Sequence, residues 1–307
     1  MSRIYEALQR AELERKSGLE PEEKQVAEPA SSPRIEEPAP AKSGIALDKV
    51  ARNPWRPALL SLPTLAERGK SVEQFRALRS HIYQARSESA LQTILVCSGM
   101  PSEGKSFVAV NLALSLARNN TRRVLLIDGD LRRPSLYKLL GAPNTPGLTD
   151  FLAGTTGLVD VMQCNSSSDV VEDPDVRHIS NITLITAGEC GDNSLELVGN
   201  HRIEELIATL SPHFDWIVID SPPVLAVTDA VDLARAADGV LLVAREGKTP
   251  YDVAQRTQAA FKSFRLLGFV LNAVKDAPGH GYYYNYYNYY GYQSGGSQSK
   301  RGKKRQG

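Results

Sequence analysis

The chain has 307 residues, of which 42% are apolar; this length and composition allow one large α/β domain with appendages. Its formal net charge is +1, which gives no global electrostatic reason to bind nucleic acid or acidic substrates. Cys97, Cys164 and Cys190 stand far apart, which excludes the spacings of a disulfide framework or a zinc site and fits a reducing cytosol. Because no apolar run approaches the roughly 18 residues of a spanning helix, we expect any membrane role to act through a partner or a surface contact.

The first 45 residues read as an appendage to a folded domain. Residues 1–18 are predicted to form a short amphipathic helix, which suits either docking to a partner or an anionic membrane surface, or an ordinary frayed terminus. Residues 19–45 are rich in Pro, Glu and Ala, a composition that predicts an extended linker. We expect the folded domain over residues 46–277 and a separate tail over residues 278–307.

A helix is predicted over residues 71–86, where apolar side chains follow helical spacing. Its other side carries Glu73, Arg76 and Arg79 at successive intervals of three. Taken by themselves, these three residues favour an intrahelical ion pair on a solvated surface.

Residues 94–118 hold the motif around which the domain is organised. A short apolar strand leads to Gly-x-x-x-x-Gly-Lys-Ser at residues 99–106, and a helix is predicted from there to residue 118. This is the Walker A arrangement, in which loop N–H groups and the helix N-terminus receive a polyphosphate. The lysine reaches the β- and γ-phosphates, and the serine hydroxyl binds Mg²⁺. The predicted ATP-binding residues are Gly99, Ser102, Glu103, Gly104, Lys105, Ser106 and Phe107.

Beyond this loop, apolar runs alternate with helical stretches, one of which covers residues 195–210. The runs lie at residues 123–128, 181–185, 215–220, 239–244 and 268–272. Their alternation predicts a doubly wound, mainly parallel α/β sheet. Ligands bind such sheets at the carboxyl ends of the strands, where Gly99, Asp128 and Asp220 all fall.

Asp220 closes an apolar run and has the position of a Walker B carboxylate. Mg²⁺ takes oxygen ligands, usually one or two from the protein with phosphates and waters. We therefore predict a Mg²⁺ site made by Asp220 and Ser106.

A second pair of carboxylates, Asp128 and Asp130, stands at the end of another run. In an extended segment, residues i and i+2 lie on the same side, so both are expected to face the phosphates. The alternative for Asp130 is a local cap or an ion pair with Arg132 or Arg133.

The tail has an unusual composition, because eight of the twelve tyrosines lie within residues 282–292 and aliphatic residues are absent there. This predicts a disordered segment with exposed phenols. Aromatic tails with basic ends also stack on nucleic acid or self-associate, but beside an ATP site a phosphoacceptor is the simpler interpretation. Each phosphate adds about −1.5 to −2 charges. The candidate acceptors are Tyr282, Tyr283, Tyr284, Tyr286, Tyr287, Tyr289, Tyr290 and Tyr292.

With these motifs, the chain resembles the bacterial tyrosine autokinases (BY-kinases) over residues 60–292. The Walker A match is residues 99–106, the family's second Walker-type motif matches Ile127 to Pro134, and Walker B matches Ile217 to Pro223. The family's oligomerisation motif, Glu-x-x-Arg-x-x-Arg, corresponds to Glu73, Arg76 and Arg79, which changes our interpretation of that helix face to an intersubunit contact. The first eight residues resemble the exosortase-associated branch of polysaccharide-system autokinases, whereas residues 193–197 follow the family pattern only in part.

This resemblance implies a P-loop NTPase fold of the Walker A, A′ and B type and an ATP- and Mg²⁺-dependent tyrosine kinase. It implies transfer of the γ-phosphoryl group to the tail of a neighbouring subunit, within a ring-shaped homo-oligomer that phosphorylation dissolves. Lys105 would stabilise the transferred group, Asp128 would orient or deprotonate the phenol, and Asp130 would assist the metal or Lys105.

The resemblance also implies partners and a cellular setting. The expected activator is a transmembrane polysaccharide co-polymerase, or chain-length determinant protein, which would recruit a cytoplasmic, separate-subunit kinase to the inner face of the cell membrane. A tyrosine phosphatase is expected as well, and nucleic acid is not. The expected process is the synthesis and export of exopolysaccharide or capsule.

Three other classes of protein share parts of this pattern. A switch ATPase of the MinD and ParA type typically carries an early second lysine, where this chain has Ser98, Gly99 and Met100. A non-catalytic ATP-binding scaffold would use the tail only as a sticky contact. An iron–sulfur carrier is disfavoured because Cys164 and Cys190 lack the spacing of cluster ligands.

Overall fold

The computed structural model describes residues 45–66, 68–118, 122–166, 179–189 and 201–275. The predicted N-terminal helix, nearly all of the linker and the whole tyrosine-rich segment lie outside the described residues. Cys190 and residues 195–200 of a predicted helix lie outside them too. The domain limits given above therefore stay predictions.

Eight strands and seven α-helices make up the described residues, together with short 3₁₀ turns. The strands are β1 (Ala51–Asn53), β2 (Thr93–Ser98), β3 (Val124–Asp128), β4 (Met162–Asn165), β5 (Ile182–Ile185), β6 (Trp216–Asp220), β7 (Gly239–Arg245) and β8 (Leu266–Asn272). The helices are α1 (Lys70–Glu88), α2 (Lys105–Ala117), α3 (Leu136–Leu140), α4 (Leu148–Ala153), α5 (Arg202–Leu210), α6 (Asp229–Arg235) and α7 (Tyr251–Ala260).

All eight strands belong to one sheet in the order β1-β4-β5-β3-β6-β2-β7-β8. The six strands from β5 to β8 in this order pair in parallel, whereas β4 runs antiparallel to β5 and pairs in parallel with β1. The predicted mainly parallel, doubly wound sheet is confirmed. Its strand β2, which feeds the phosphate loop, lies between β6 and β7, so the carboxyl ends of three strands meet at the loop.

Helices cover both faces of the sheet, which explains why β2, β3 and β6 are buried along their whole length. On one face, α1 and α2 contribute Phe75, Ile82 and Leu112 to the core. On the other face, α5 and α6 contribute Leu206 and Leu233. Helix α2 is buried from Val108 to Ala117 without interruption, because α1 covers the side that the sheet leaves open. None of the described helices is long and apolar enough to span a membrane.

Strands β1 and β4 were not predicted, because each is short and carries polar side chains. Hydrogen bonds rather than an apolar pattern hold this edge of the sheet. The backbone N–H of Trp55 donates to Asn165 Oδ1 at 3.0 Å, and its indole N–H donates to Gln163 Oε1 at 3.3 Å. The partners are about 110 residues apart in the sequence, so no local sequence pattern predicts these hydrogen bonds.

Candidate nucleotide-binding site

The phosphate loop runs from the end of β2 to the start of α2, and two of its glycines are required by close contacts. Gly104 has a φ of +97°, and a Cβ atom there would lie 2.0 Å from Asn272 Nδ2. A Cβ atom on Gly99 would lie 2.2 Å from Thr257 Oγ1. The loop therefore depends on glycine at both positions of the motif.

Two residues that the sequence analysis missed hold the loop from neighbouring strands. Asn272, at the end of β8, donates its side-chain N–H to the carbonyl oxygen of Glu103 at 2.9 Å. Arg245, at the end of β7, donates from Nη1 to the carbonyl oxygen of Ser102 at 3.1 Å. The signal that would have found them is their place as the last residues of parallel strands, at the edge where ligands bind.

Lys105 lies at the centre of the site, between two carboxylates. Its Nζ is 2.7 Å from Asp130 Oδ2, 3.9 Å from Asp220 Oδ2 and 3.3 Å from Ser106 Oγ. Burial opposes the charge of the lysine, but Asp220 and Asp130 outweigh it and raise the pKa of Lys105. The structure therefore brings together four of the residues that were predicted from separate motifs.

Asp220 is completely buried, and its carboxylate oxygens make no hydrogen bond of good geometry within the described residues, although the Ser106 hydroxyl and the Ser221 backbone N–H lie close enough to lower its pKa. Burial raises the pKa of Asp220 to about 6, while the nearby Lys105 ammonium acts in the opposite direction. An unsatisfied buried carboxylate is unfavourable unless a cation or a donor meets it. Two free carboxylate oxygens, with the Ser106 hydroxyl near the same ammonium, suit the oxygen-preferring Mg²⁺ ion. The residues present therefore fit the predicted metal.

Asp128, unlike Asp130, has its described hydrogen bonds to backbone N–H groups after β3 rather than to Lys105, although its charge helps to raise the pKa of the lysine. Its Oδ2 accepts the backbone N–H groups of Ser135 and Leu136, both at 3.0 Å, so it satisfies the first N–H groups of α3. Burial, and then the charge of Asp220, raise the pKa of Asp128 to about 7. Its predicted role with the acceptor phenol stays a prediction.

The local alternative for Asp130 holds in part. Its Oδ1 accepts the backbone N–H of Arg133 at 3.0 Å, while its other oxygen contacts Lys105. The guanidinium of Arg132 instead pairs with Asp229 at 3.0 Å. One carboxylate thus shapes the turn after β3 and also holds the loop lysine.

The three residues predicted for oligomerisation have two different environments on α1. Arg76 Nη1 lies 2.8 Å from Glu73 Oε1, and both side chains are about half exposed. Arg79 Nη1 donates to the carbonyl oxygen of Ser115 on α2 at 2.6 Å, and burial lowers the pKa of Arg79. Glu73 and Arg76 are therefore accessible, whereas Arg79 also anchors α1. The intersubunit role of the three stays a prediction.

Comparison with known proteins gives tyrosine-protein kinases as relatives. A family model described as "AAA domain" matches residues 93–252. The chain is 32% identical over 215 residues to tyrosine-protein kinase YwqD of Bacillus subtilis, which covers 69% of this chain and 85% of that protein. It is 33% identical over 219 residues to tyrosine-protein kinase wzc of Salmonella typhimurium, of which it spans only 29%. The chain thus spans most of some relatives and less than a third of others.

Solved structures agree with this result. The kinase domain of the Escherichia coli tyrosine kinase ETK superposes with a TM-score of 0.63 at 30% identity, covering 71% of this chain and 82% of that one. The cell division ATPase MinD of Pyrococcus furiosus superposes with a TM-score of 0.50 at 26% identity, covering 61% and 76%. The likeness to the kinase is greater on every one of these measures.

Proposed function

The chain belongs to the bacterial tyrosine-protein kinases, and residues 93–252 form its AAA domain. From this premise we propose that it transfers the γ-phosphoryl group of ATP to the tyrosines within residues 282–292. The observation that carries the proposal is the position of Lys105. It is a buried cation 2.7 Å from Asp130 and 3.9 Å from Asp220, directly after a loop whose glycines allow a close approach. Such a site is suited to neutralise and orient a polyphosphate.

In this proposal, each residue of the site has a separate task. The loop N–H groups and Lys105 bind the β- and γ-phosphates, and the contact with Asp130 holds the lysine in place. Ser106 and Asp220 hold Mg²⁺, which when bound neutralises phosphate charge. The phenol oxygen forms the new bond to phosphorus, the bond to the ADP oxygen breaks, and Asp128 orients the phenol or accepts its proton. A pKa of about 7 for Asp128 suits a general base at neutral pH.

The tail is a suitable acceptor because of where it leaves the domain. Strand β8 ends at Asn272, which contacts the phosphate loop at 2.9 Å, and six residues lie between Lys275 and Tyr282. The seven steps from Lys275 to Tyr282 span at most about 25 Å when the chain is extended. Tyr282, the first tyrosine of the tail, can therefore come close enough to a nucleotide-binding site to act as an acceptor. We propose that the site that modifies it belongs to a neighbouring copy of the chain.

The assembly and the cellular role rest on the family resemblance. We propose a ring-shaped homo-oligomer with Glu73, Arg76 and Arg79 at its contacts. A transmembrane polysaccharide co-polymerase would activate the kinase at the inner face of the membrane, and a tyrosine phosphatase would reverse the modification. The process served would be exopolysaccharide or capsule synthesis and export.

Intact-mass spectrometry of purified protein after incubation with Mg-ATP tests the transfer itself. We expect phosphate additions that peptide mapping assigns to residues 282–292, and we expect none in Lys105→Met, because the variant lacks the cation that faces the phosphates. Lys262→Met, which changes an exposed lysine, is the matched control and should behave like the wild type. ATP hydrolysis without any added phosphate would contradict the proposal and favour a switch ATPase or a scaffold.

A further inference from the structure

Glu103 is a charged residue of the phosphate loop, yet only 1% of it is exposed. Its Oε2 accepts the backbone N–H of Met100 at 2.7 Å, across the loop. Its Oε1 accepts the hydroxyl of Thr249, which lies between β7 and α7. Both of these partners, among the residues that the structure describes, are neutral donors.

The segment after β7 touches the loop at a second point. Thr249 Oγ1 accepts the backbone N–H of Arg245 at 2.8 Å, which leaves the threonine hydroxyl hydrogen for Glu103. The guanidinium of Arg245 donates to the carbonyl oxygen of Ser102 at 3.1 Å. We call Met100, Ser102, Glu103, Arg245 and Thr249 the loop brace. It ties the turn of the phosphate loop to the end of a neighbouring strand.

The loop needs an external hold, because its own conformation is not the relaxed one. Ser102 has a φ of +65°. This lies in the left-handed region of backbone conformation, which residues other than glycine adopt only at a cost in free energy. Glu103 follows it directly and is the residue that the brace fixes. Without Thr249, one oxygen of a buried carboxylate would lose its donor, and the side chain would gain stability by turning toward water. That movement would also release the N–H of Met100.

We propose that Thr249 is a positioning residue for ATP, acting through Glu103 to hold the phosphate loop in the conformation that receives the β- and γ-phosphates. Neither side chain touches the reacting atoms. Glu103 was expected from its position in the motif to bind the nucleotide. It contributes its backbone to the phosphate loop, while its side chain contacts Met100 and Thr249. This inference rests on the proposed nucleotide site.

Thr249→Val removes the hydroxyl and keeps the shape of the side chain. We expect the dissociation constant for Mg-ADP, measured by titration calorimetry, to rise about tenfold, because a smaller fraction of the protein holds the receptive loop. The KM for ATP should rise by a similar factor, while kcat changes by less than about threefold, since the loss affects binding more than the transfer step. Thr249→Ser restores a hydroxyl and should bind within about twofold of the wild type, by the same argument.

Two further variants keep the test decisive. Thr209→Val removes a hydroxyl that donates only to a carbonyl oxygen within α5, and it should bind Mg-ADP like the wild type. Glu103→Gln should also weaken binding, because an amide has one oxygen where the carboxylate has two acceptors. Unchanged binding in Thr249→Val, an equal loss in Thr209→Val, or no recovery in Thr249→Ser would overturn the inference. A wild type that fails to bind Mg-ADP would instead overturn the proposed function, and this inference with it.

Discussion

The buried carboxylate of Asp220 lowers the stability of the folded protein when it is ionised, but we propose that the same ionised carboxylate binds Mg²⁺. It is fully buried, and its oxygens make no hydrogen bond of good geometry in the part of the chain that the structure describes. Its pKa is raised from 3.8 to about 6, so the folded protein favours the protonated form. The stabilisation that this provides is complete below about pH 4 and is lost as the pH rises through about 6.

Asp220→Asn cannot ionise and therefore escapes this loss. Without Mg²⁺ and nucleotide, we expect the variant at pH 8 to exceed the wild type in free energy of unfolding by about 1–3 kcal/mol. The difference should shrink toward pH 4, because there the folded wild type carries Asp220 in its protonated form, which is neutral like the asparagine amide. Urea unfolding in a chelating buffer between pH 4 and 8 measures it. Asp252→Asn, at an exposed position on α7, serves as the control and should show no such trend.

Saturating Mg-ADP should reverse the order of the two proteins. The wild type gains stability from a ligand that binds only the folded state, whereas Asp220→Asn lacks the carboxylate that we assign to the metal. Equal stability of both proteins across the pH range would contradict the view that burial of Asp220 outweighs its ion pair with Lys105. An equal gain from Mg-ADP would contradict its assignment as a metal ligand.

At the scale of a helix, Arg76 and Arg79 of α1 differ in their burial and in their contacts. The exposed Glu73–Arg76 pair contributes about 0.2–0.5 kcal/mol to a helix, so Arg76→Ala should leave the stability of the monomer nearly unchanged. Arg79→Ala removes a half-buried contact with the Ser115 carbonyl oxygen and should cost about 1 kcal/mol. If α1 forms the intersubunit contact, both variants should nevertheless give a smaller particle than the wild type.

Light scattering of the unphosphorylated proteins, combined with thermal unfolding, distinguishes these two effects. Arg256→Ala changes an exposed arginine on α7 and controls for the loss of one positive charge. A particle of unchanged size in both Arg76→Ala and Arg79→Ala would refute the intersubunit interpretation of this helix face. Arg79 would then be explained by its contact with α2 alone.

Elements with a continuous apolar pattern were predictable from the sequence. Strands β2, β3, β5, β6, β7 and β8 lie within two residues of the predicted runs. The first five are buried almost throughout by helices and therefore need apolar side chains, whereas β8 keeps an apolar sequence although Phe269 and Leu271 are exposed. Strands β1 and β4 and the short helices α3 and α4 were not predicted. The edge that β1 and β4 form is held by partners distant in sequence, as Asn165 is for Trp55, and the two helices are only five and six residues long; no local periodicity encodes such elements.

The same division applies to the site. Lys105, Asp130 and Asp220 were predicted because motif spacing and the topology of a parallel sheet bring strand ends together. The brace residues Arg245 and Thr249 were missed, because their role comes from the position of β7 beside β2. The common side predicted for the two carboxylates after β3 stays a prediction, since Asp130 contacts Lys105 while the start of α3 supplies two N–H groups to Asp128.

At the scale of the whole molecule, the proposed reaction changes the charge balance of the assembly. The unmodified chain has a formal net charge of +1, and eight phosphotyrosines would add roughly −12 to −16 charges to one short segment. Tails with this charge repel one another across a ring over distances of about a Debye length. In the proposed ring, modification of the tail thus offers a direct physical route to disassembly, whichever subunit supplies the phosphate.

Transfer between subunits is tested by separating the donor from the acceptor. The acceptor is full-length Lys105→Met, and the donor is a full-length chain in which the eight tail tyrosines are replaced by phenylalanine. We expect phosphate on the acceptor tail only when the two are mixed with Mg-ATP, because one chain has the site and the other has the phenols. The measurement is intact mass, with each chain incubated alone as its own control. In the wild type, the rate per chain should rise with protein concentration until the oligomer is fully formed. An unmodified acceptor in the mixture, together with a wild-type rate that is independent of dilution, would show that each chain modifies its own tail.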